Sequence, residues 1–365
     1  MNKEHLLLAD GTVFTGKGFG AQGEVIGEIV FATGMTGYEE TLTDPSYYGQ
    51  IVIQTFPLIG NYGVNQEDME SGKCHLKGYI VREHCELPSN FRSEGDIDAF
   101  LKEQGIVGLC GIDTRHLTRI IREYGVMNGC ITSQDVEDEA VKQALLEKIR
   151  SYKVKDAVMS VTSKTEKTYT AEDGKYRVVL MDFGYKENIR RELQKRGCDV
   201  TVVPADTSVC RIRELAPDGI MLSNGPGDPA DDVAIIEELR KIRELNIPVF
   251  GICLGHQLMA LANGARTEKL KYGHRGADQP VRDVDADRVY ITSQNHGYAV
   301  INDTLPADSG HVSHINVNDG TCEGVRYKSF PCFTVQFHPE ACGGPHDTSY
   351  LFDEFIEMMR SGKNA

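Results

Sequence analysis

Pro248-Val249-Phe250-Gly251-Ile252-Cys253-Leu254-Gly255-His256-Gln257-Leu258 is the stretch on which the reading of this chain turns. The apolar run from Ile247 to Ile252 reads as a buried strand. It runs into Gly251-Ile252-Cys253-Leu254-Gly255 and then into a helical pattern, with Leu254, Leu258, Leu261 and Ala262 on one face and Asn263-Gly264 as the stop. A strand that turns at once into a helix, with a glycine two residues either side of a cysteine, has the pattern of a nucleophile elbow. Side chains at the glycine positions would clash on so sharp a turn. The thiol then sits at the carboxyl end of a sheet, beside a helix N-terminus that favours the thiolate. A buried cysteine in an ordinary strand–helix turn carries similar letters, so the surrounding chain has to decide.

Outward from the elbow, strands and helices alternate. Arg177–Phe183 reads as a strand, Glu187–Arg196 as a helix stopped by Gly197, and Val200–Val203 and Gly219–Leu222 as further strands. A long helix is expected over 231–246, just before the elbow strand. This alternation predicts an α/β fold with a doubly wound, mostly parallel sheet, whose ligands bind beyond the carboxyl ends of its strands. Residues 153–175 are polar and without helical period, which predicts a linker. Before it, residues 1–152 read as a separate β/α domain. Leu6-Leu7-Leu8 and Thr12-Val13-Phe14 flank an Asp10-Gly11 turn as a hairpin. Strands are expected at 28–32, 51–55 and 78–81, and helices at 97–104 (capped by Asp96), 114–124 and 134–149. The predicted division is therefore 1–152, a linker at 153–175, and 176–365.

Composition narrows the function. The 365 residues suit two or three domains, and a net charge of −15 argues against nucleic acid or an anionic membrane surface as partner. No apolar run reaches the roughly 18 residues of a membrane span, and Met1 to Leu8 does not read as a secretory signal. The ten cysteines are scattered, with neither C-x-x-C pairs nor zinc spacing, so reduced thiols in the cytoplasm and no metal site are expected.

A thiolate nucleophile needs a base, and the base needs an orienting group. Phe333-Thr334-Val335-Gln336-Phe337-His338-Pro339-Glu340 offers both. The alternation of Phe333, Val335 and Phe337 makes a strand that Pro339 stops. His338 then stands at a strand end with Glu340 two residues on, in reach of its ring. His256 is the nearest rival base, but its place in the first helical turn suits packing better. Acyl transfer also needs oxyanion donors, and the N–H groups of Gly227, in Asn224-Gly225-Pro226-Gly227-Asp228-Pro229, and of Leu254 are the candidates. No Walker-type loop is present, so the sequence gives no sign that this chain handles ATP.

Taken together, the elbow, the Asn224–Pro229 loop and Gln336-Phe337-His338-Pro339-Glu340 resemble the triad class of glutamine amidotransferases, which split glutamine through a cysteinyl thioester. Over essentially its whole length the chain is similar to the small-subunit family of carbamoyl phosphate synthases. Met35-Thr36-Gly37-Tyr38, Gly60-Asn61-Tyr62-Gly63, Gly111-Ile112-Asp113-Thr114-Arg115, Asp182-Phe183-Gly184-Tyr185-Lys186-Glu187-Asn188 and Ser293-Gln294-Asn295-His296-Gly297-Tyr298 carry that likeness. The resemblance implies Cys253 as nucleophile, His338 as base and acid, and Glu340 as orienting carboxylate. It implies glutamine contacts at Ser46, Gly225, Gly227, Leu254, Gln257, Asn295, Gly297 and Tyr298. Tyr298 stands where the family commonly has phenylalanine; a backbone contact there is indifferent to the change. It implies no cofactor in this chain. Its partner would be a large synthetase subunit that takes the ammonia and uses ATP, Mg and bicarbonate to make carbamoyl phosphate for arginine and pyrimidine synthesis. A heterodimer, open to higher assembly, is expected. Two other readings stay open from the residues alone: a γ-glutamyl hydrolase or cysteine peptidase of similar fold, and a docking subunit without catalysis.

Overall fold

The computed structural model describes residues 2–363 and divides into two compact units that meet in sequence at Lys155 and Asp156. In the first unit, β1 (Lys3–Leu8), β2 (Val13–Gly20), β3 (Val25–Ala32), β4 (Gln50–Gln54), β6 (Gly78–Ile80), β8 (Val107–Cys110) and β9 (Met127–Thr132) close a barrel in the order β1-β2-β8-β6-β4-β3-β9. Closure comes from β9, which pairs antiparallel with both β1 and β3. The pairings β3–β4, β4–β6 and β6–β8 are parallel. A small parallel ladder joins β5 (Leu58–Ile59) and β7 (Glu83–His84). The Asp10-Gly11 hairpin forms as expected, with Gly11 at φ 91°, a backbone that suits glycine. Helix α1 spans Tyr38–Thr43. Helices α2 (Ile97–Glu103), α3 (Thr114–Tyr124) and α4 (Glu139–Ser151) start where Asp96, Asp113 and Asp138 accept backbone N–H groups. The expected start at residue 134 was too early because Asp138 is the cap; before it, Thr132 and Asp135 hold turns by accepting from Gln134 N and Glu137 N.

The second unit is one sheet of ten strands, ordered β10-β12-β11-β13-β14-β19-β18-β17-β15-β16. Its parallel part joins β12 (Cys198–Pro204), β11 (Tyr176–Asp182), β13 (Gly219–Leu222), β14 (Val249–Ile252) and β19 (Cys332–Val335). Alternate residues of these strands face opposite ways. Val179 and Met181 pack with Ile212 of α7 (Val209–Leu215), Leu239 of α8 (Val233–Ile242) and Leu258 of α9 (Leu254–Ala262). Val178 and Leu180 pack with Ile189 and Leu193 of α6 (Glu187–Lys195) and Phe352 and Phe355 of α10 (Tyr350–Lys363). Both faces are therefore covered by helices, the doubly wound arrangement. Beyond β19 the sheet turns antiparallel through β18 (Cys322–Tyr327), β17 (Gly310–Asn316), β15 (Thr267–Asp283) and β16 (Arg288–Val300).

Two expectations need correction. Residues 153–175 are not a free linker. From Asp156 on they belong to the second unit, as α5 (Ala157–Val161) and β10 (Lys167–Tyr169). Val158 is fully buried, and Ala205 N donates to Thr162 Oγ1 at 2.9 Å. β10 runs antiparallel along β12 at the sheet margin, where a strand needs few apolar residues, so its polar sequence hid it. The helix expected over 231–246 is shorter: α8 lies between single 3-10 turns at Pro229–Asp231 and Arg243–Leu245, and Asn246 at φ 53° ends it. No helix among the described residues is long and apolar enough to cross a membrane.

Candidate active site

Cys253 caps α9 with φ 52° and ψ −103°, one of few non-glycine residues here at positive φ. Such backbone costs roughly 1–3 kcal/mol and is held only where neighbours dictate it. Here they do. Cys253 N donates to Val335 O at 2.8 Å, and Gly255 N to Ser223 O at 3.0 Å. A methyl at Gly255 would lie 2.5 Å from the Leu222 carbonyl oxygen, and one at Gly251 would lie 2.8 Å from Thr334 Cγ2. The two glycines let α9 close onto β13 and β14 onto β19.

His338 follows β19 by three residues, and its N–H donates to Ser293 O at 2.9 Å. The Cys253 thiol points to Asn295 O at 3.8 Å, two residues further along the same strand, β16. Ile252 lies opposite Val335 in the parallel ladder. Register and the two ties to β16 thus bring nucleophile and base candidates to one carboxyl edge of the sheet.

His338 Nδ1 lies 2.7 Å from Glu340 Oε1, and Lys186 Nζ lies 2.7 Å from that same oxygen. Burial alone would raise the Glu340 carboxyl, but the charges of Lys186 and His338 outweigh it and hold the group down at about 2. An ionised Glu340 accepts the proton of Nδ1, which leaves Nε2 as the basic nitrogen. Among the described residues Nε2 has no hydrogen-bond partner, although it is buried. This is an oriented base with its working atom unengaged. Cys253, His338 and Glu340 are each 2% exposed.

The remaining predicted residues fall into place unevenly. Gly225 and Gly227 lie in the loop after β13. A methyl at Gly225 would run into the Phe183 carbonyl oxygen, and Gly227 has φ 98°. Asn224 pins the loop, accepting from Lys186 N at 3.1 Å and donating to Gly184 O at 2.9 Å. Leu254 is the first residue of α9, so its N–H lies in the unbonded first turn. Gln257 Nε2 donates to Tyr298 O at 2.7 Å and to Gln336 Oε1 at 2.9 Å, which ties α9 to the strand carrying Asn295, Gly297 and Tyr298. Ser46 belongs to the first unit, in a 3-10 turn where its N–H donates to Asp44 Oδ1 at 2.8 Å. His256 is fully buried against Thr334 Oγ1 at 2.8 Å, and burial pushes its ring down to about 3, so it packs rather than titrates. Lys186 escaped the sequence reading as a site residue. Its one signal is position: a lysine in the turn after β11, at the cap of α6, inside a motif already singled out.

Comparison with known proteins adds the following. Residues 6–131 match the family model for the carbamoyl-phosphate synthase small chain, CPSase domain, and residues 179–358 match glutamine amidotransferase class-I. The chain is 52% identical to the carbamoyl phosphate synthase small chain of Listeria monocytogenes serotype 4b over 98% of this chain and 97% of that one. It is also 52% identical to the protein of that name from Bacillus thuringiensis subsp. konkukian, over 99% and 97%. Among solved structures, a glutamine amidotransferase from Thermotoga maritima aligns with 52% of this chain and 86% of its own, at 17% identity and a TM-score of 0.39.

Proposed function

This chain belongs to the carbamoyl phosphate synthase small-chain family, and from that premise we propose how its second unit splits glutamine. It is the glutamine amidotransferase subunit of a glutamine-hydrolysing carbamoyl phosphate synthase, serving arginine and pyrimidine biosynthesis, and a large subunit is its partner. The Cys253 thiolate attacks the side-chain carbonyl carbon of glutamine, forming the C–S bond while the carbonyl π pair moves onto oxygen. The N–H groups of Gly227 and Leu254 hold that oxyanion. Collapse re-forms the C=O bond and breaks the C–N bond, and His338 gives the leaving nitrogen its proton. His338 then takes a proton from water, whose oxygen attacks the thioester. Glutamate leaves and the sulfur regains its proton. Gly225, Gln257, Asn295, Gly297 and Tyr298 hold the substrate's ammonium and carboxylate through amide and backbone groups. The released ammonia passes to the large subunit, which binds the ATP, Mg and bicarbonate; glutamine hydrolysis in this chain needs no cofactor. Chain and partner form a heterodimer in the cytoplasm.

The observation that carries this reading is the single Glu340 oxygen shared by His338 and Lys186, which fixes the tautomer a thiol base requires. The experiment is Cys253→Ser in the assembled complex. Glutamine-dependent synthesis should fall at least about 10³-fold, because members of a triad act as a unit. Synthesis from added ammonia should continue. Ammonia release from glutamine at the wild-type rate would overturn the assignment.

A further inference from the structure

Outside this centre, on the antiparallel part of the sheet, His274 of β15 stands directly opposite His296 of β16. Glu323 of β18 completes a cluster in which one ligand atom from each residue lies within 4.8 Å of the others. Glu323 is fully buried and its Oε2 has no hydrogen-bond partner. The two imidazole rings are perpendicular, at 88°, with centroids 4.9 Å apart, so they converge edge to face rather than stack.

The outer nitrogens of both rings are occupied by acceptors. His274 Nε2 lies 2.8 Å from Asp319 Oδ2, and His296 Nδ1 lies 2.7 Å from the Tyr298 carbonyl oxygen. Each acceptor takes an N–H, so in the neutral rings the inner nitrogens, Nδ1 of His274 and Nε2 of His296, carry the lone pairs. Both then face oxygen. His274 Nδ1 is 3.4 Å from Glu323 Oε1, and His296 Nε2 is 3.0 Å from Gln294 Oε1. The first distance is long for a charged N–H···O bond, which prefers about 2.7–2.9 Å. It does fit two ligands of one tetrahedral zinc ion, whose bonds of about 2.0–2.1 Å set ligands roughly 3.4 Å apart. Histidines that hold metals commonly donate their other N–H to a carboxylate or a backbone carbonyl, the pattern seen on both rings. Asn316 Nδ2 also donates to Glu323 Oε1, at 3.2 Å, and steadies the carboxylate.

We propose that His274, His296 and Glu323 form a binding site for a zinc-class divalent cation, with Gln294 Oε1 placed to complete its coordination. The site shares no ligand with the thiol centre, although His296 and Gln257 both lean on the Tyr298 carbonyl, and this assignment does not depend on the proposed mechanism. Bound there, the ion ties β15, β16 and β18 together, with His296 next to Asn295 in the chain.

The test uses the full-length chain, stripped with chelator and titrated with Zn²⁺ by calorimetry and with Co²⁺ by visible absorption. One ion per chain is expected, with a cobalt spectrum of nitrogen and oxygen ligands and no thiolate charge-transfer band. His274→Ala and Glu323→Gln should each abolish binding. Asp319→Asn, an exposed change that spares the core, should weaken it roughly 10–100-fold. Cys253→Ser should leave it intact. The proposal fails if the wild-type chain binds no ion, or if the cobalt spectrum shows sulfur ligation lost with Cys253. It also fails if a folded Asp319→Asn protein binds zinc as tightly as wild type.

Discussion

At Glu340 two nitrogens converge on one carboxylate oxygen, Nδ1 of His338 and Nζ of Lys186, each at 2.7 Å. A carboxyl held at about 2 in the fold, against 4.5 ordinarily, stabilises the native state above pH 4.5 and loses that contribution as pH falls towards 2. Lys186→Met removes a charge that lowers the Glu340 carboxyl, so Glu340 would take up its proton at a higher pH. The acid limb of the glutaminase pH–rate profile should therefore move upward. A melt at neutral pH should show a loss of about 3–5 kcal/mol, the usual penalty for stripping one member of a buried pair. An unmoved acid limb would contradict the role given to Lys186. The His338–Glu340 pair was legible because apolar residues alternate up to Pro339, although β19 itself ends at Val335. Lys186 was not, since lysine ordinarily lies on the surface and nothing local marks this one, at 9% side-chain exposure, as enclosed.

The elbow is an element whose geometry depends on its neighbours. Gly255→Ala would press a methyl to 2.5 Å from the Leu222 carbonyl oxygen, a backbone atom that cannot turn aside. Overpacking of this kind costs typically 1–3 kcal/mol, and here it pushes α9 away from β13 and carries the Leu254 N–H with it. The expected outcome is a folded protein with a lower melting temperature and a glutamine kcat reduced more than ten-fold. A wild-type kcat would mean that Leu254 does not serve the oxyanion. The strand–turn–helix was readable because apolar run, glycines and helical stripe agree over one short window. The β15–β18 hairpins were not. Thr267–Asp283 is a polar strand with two register shifts against β16, so its alternation breaks before it can be counted. The proposed zinc-class cluster is spread over three strands, where Cys/His spacing gives no signal, although His296 lies in a motif already quoted.

For the whole molecule, the boundary at Lys155 and Asp156 sets where a fragment should begin. A fragment starting at 176 lacks Val158 and the Ser163 N–H that donates to Asp182 Oδ2 at 2.7 Å, along with the marginal strand β10. Losing Val158 alone forfeits roughly 1.5–3 kcal/mol of apolar burial. Circular dichroism should show the 153–365 fragment melting several degrees above the 176–365 fragment; equal melting would return 156–175 to the status of a linker. The alternation that predicted a doubly wound sheet rests on local contacts, each strand followed by the helix that covers it. Barrel closure in the first unit was invisible for the opposite reason: β9 closes it on β1 and β3, strands far earlier in the sequence, and no single window holds both partners.

One tie described above reaches further. The Cys253 sulfur and the backbone N–H of His338 both rest on β16, a ribbon with a laddered neighbour on one side only. Outermost ribbons loosen before the interior melts. The reactive pair is thus anchored to an outer border of its platform, and catalysis should fade on warming while the bulk of the protein still stands.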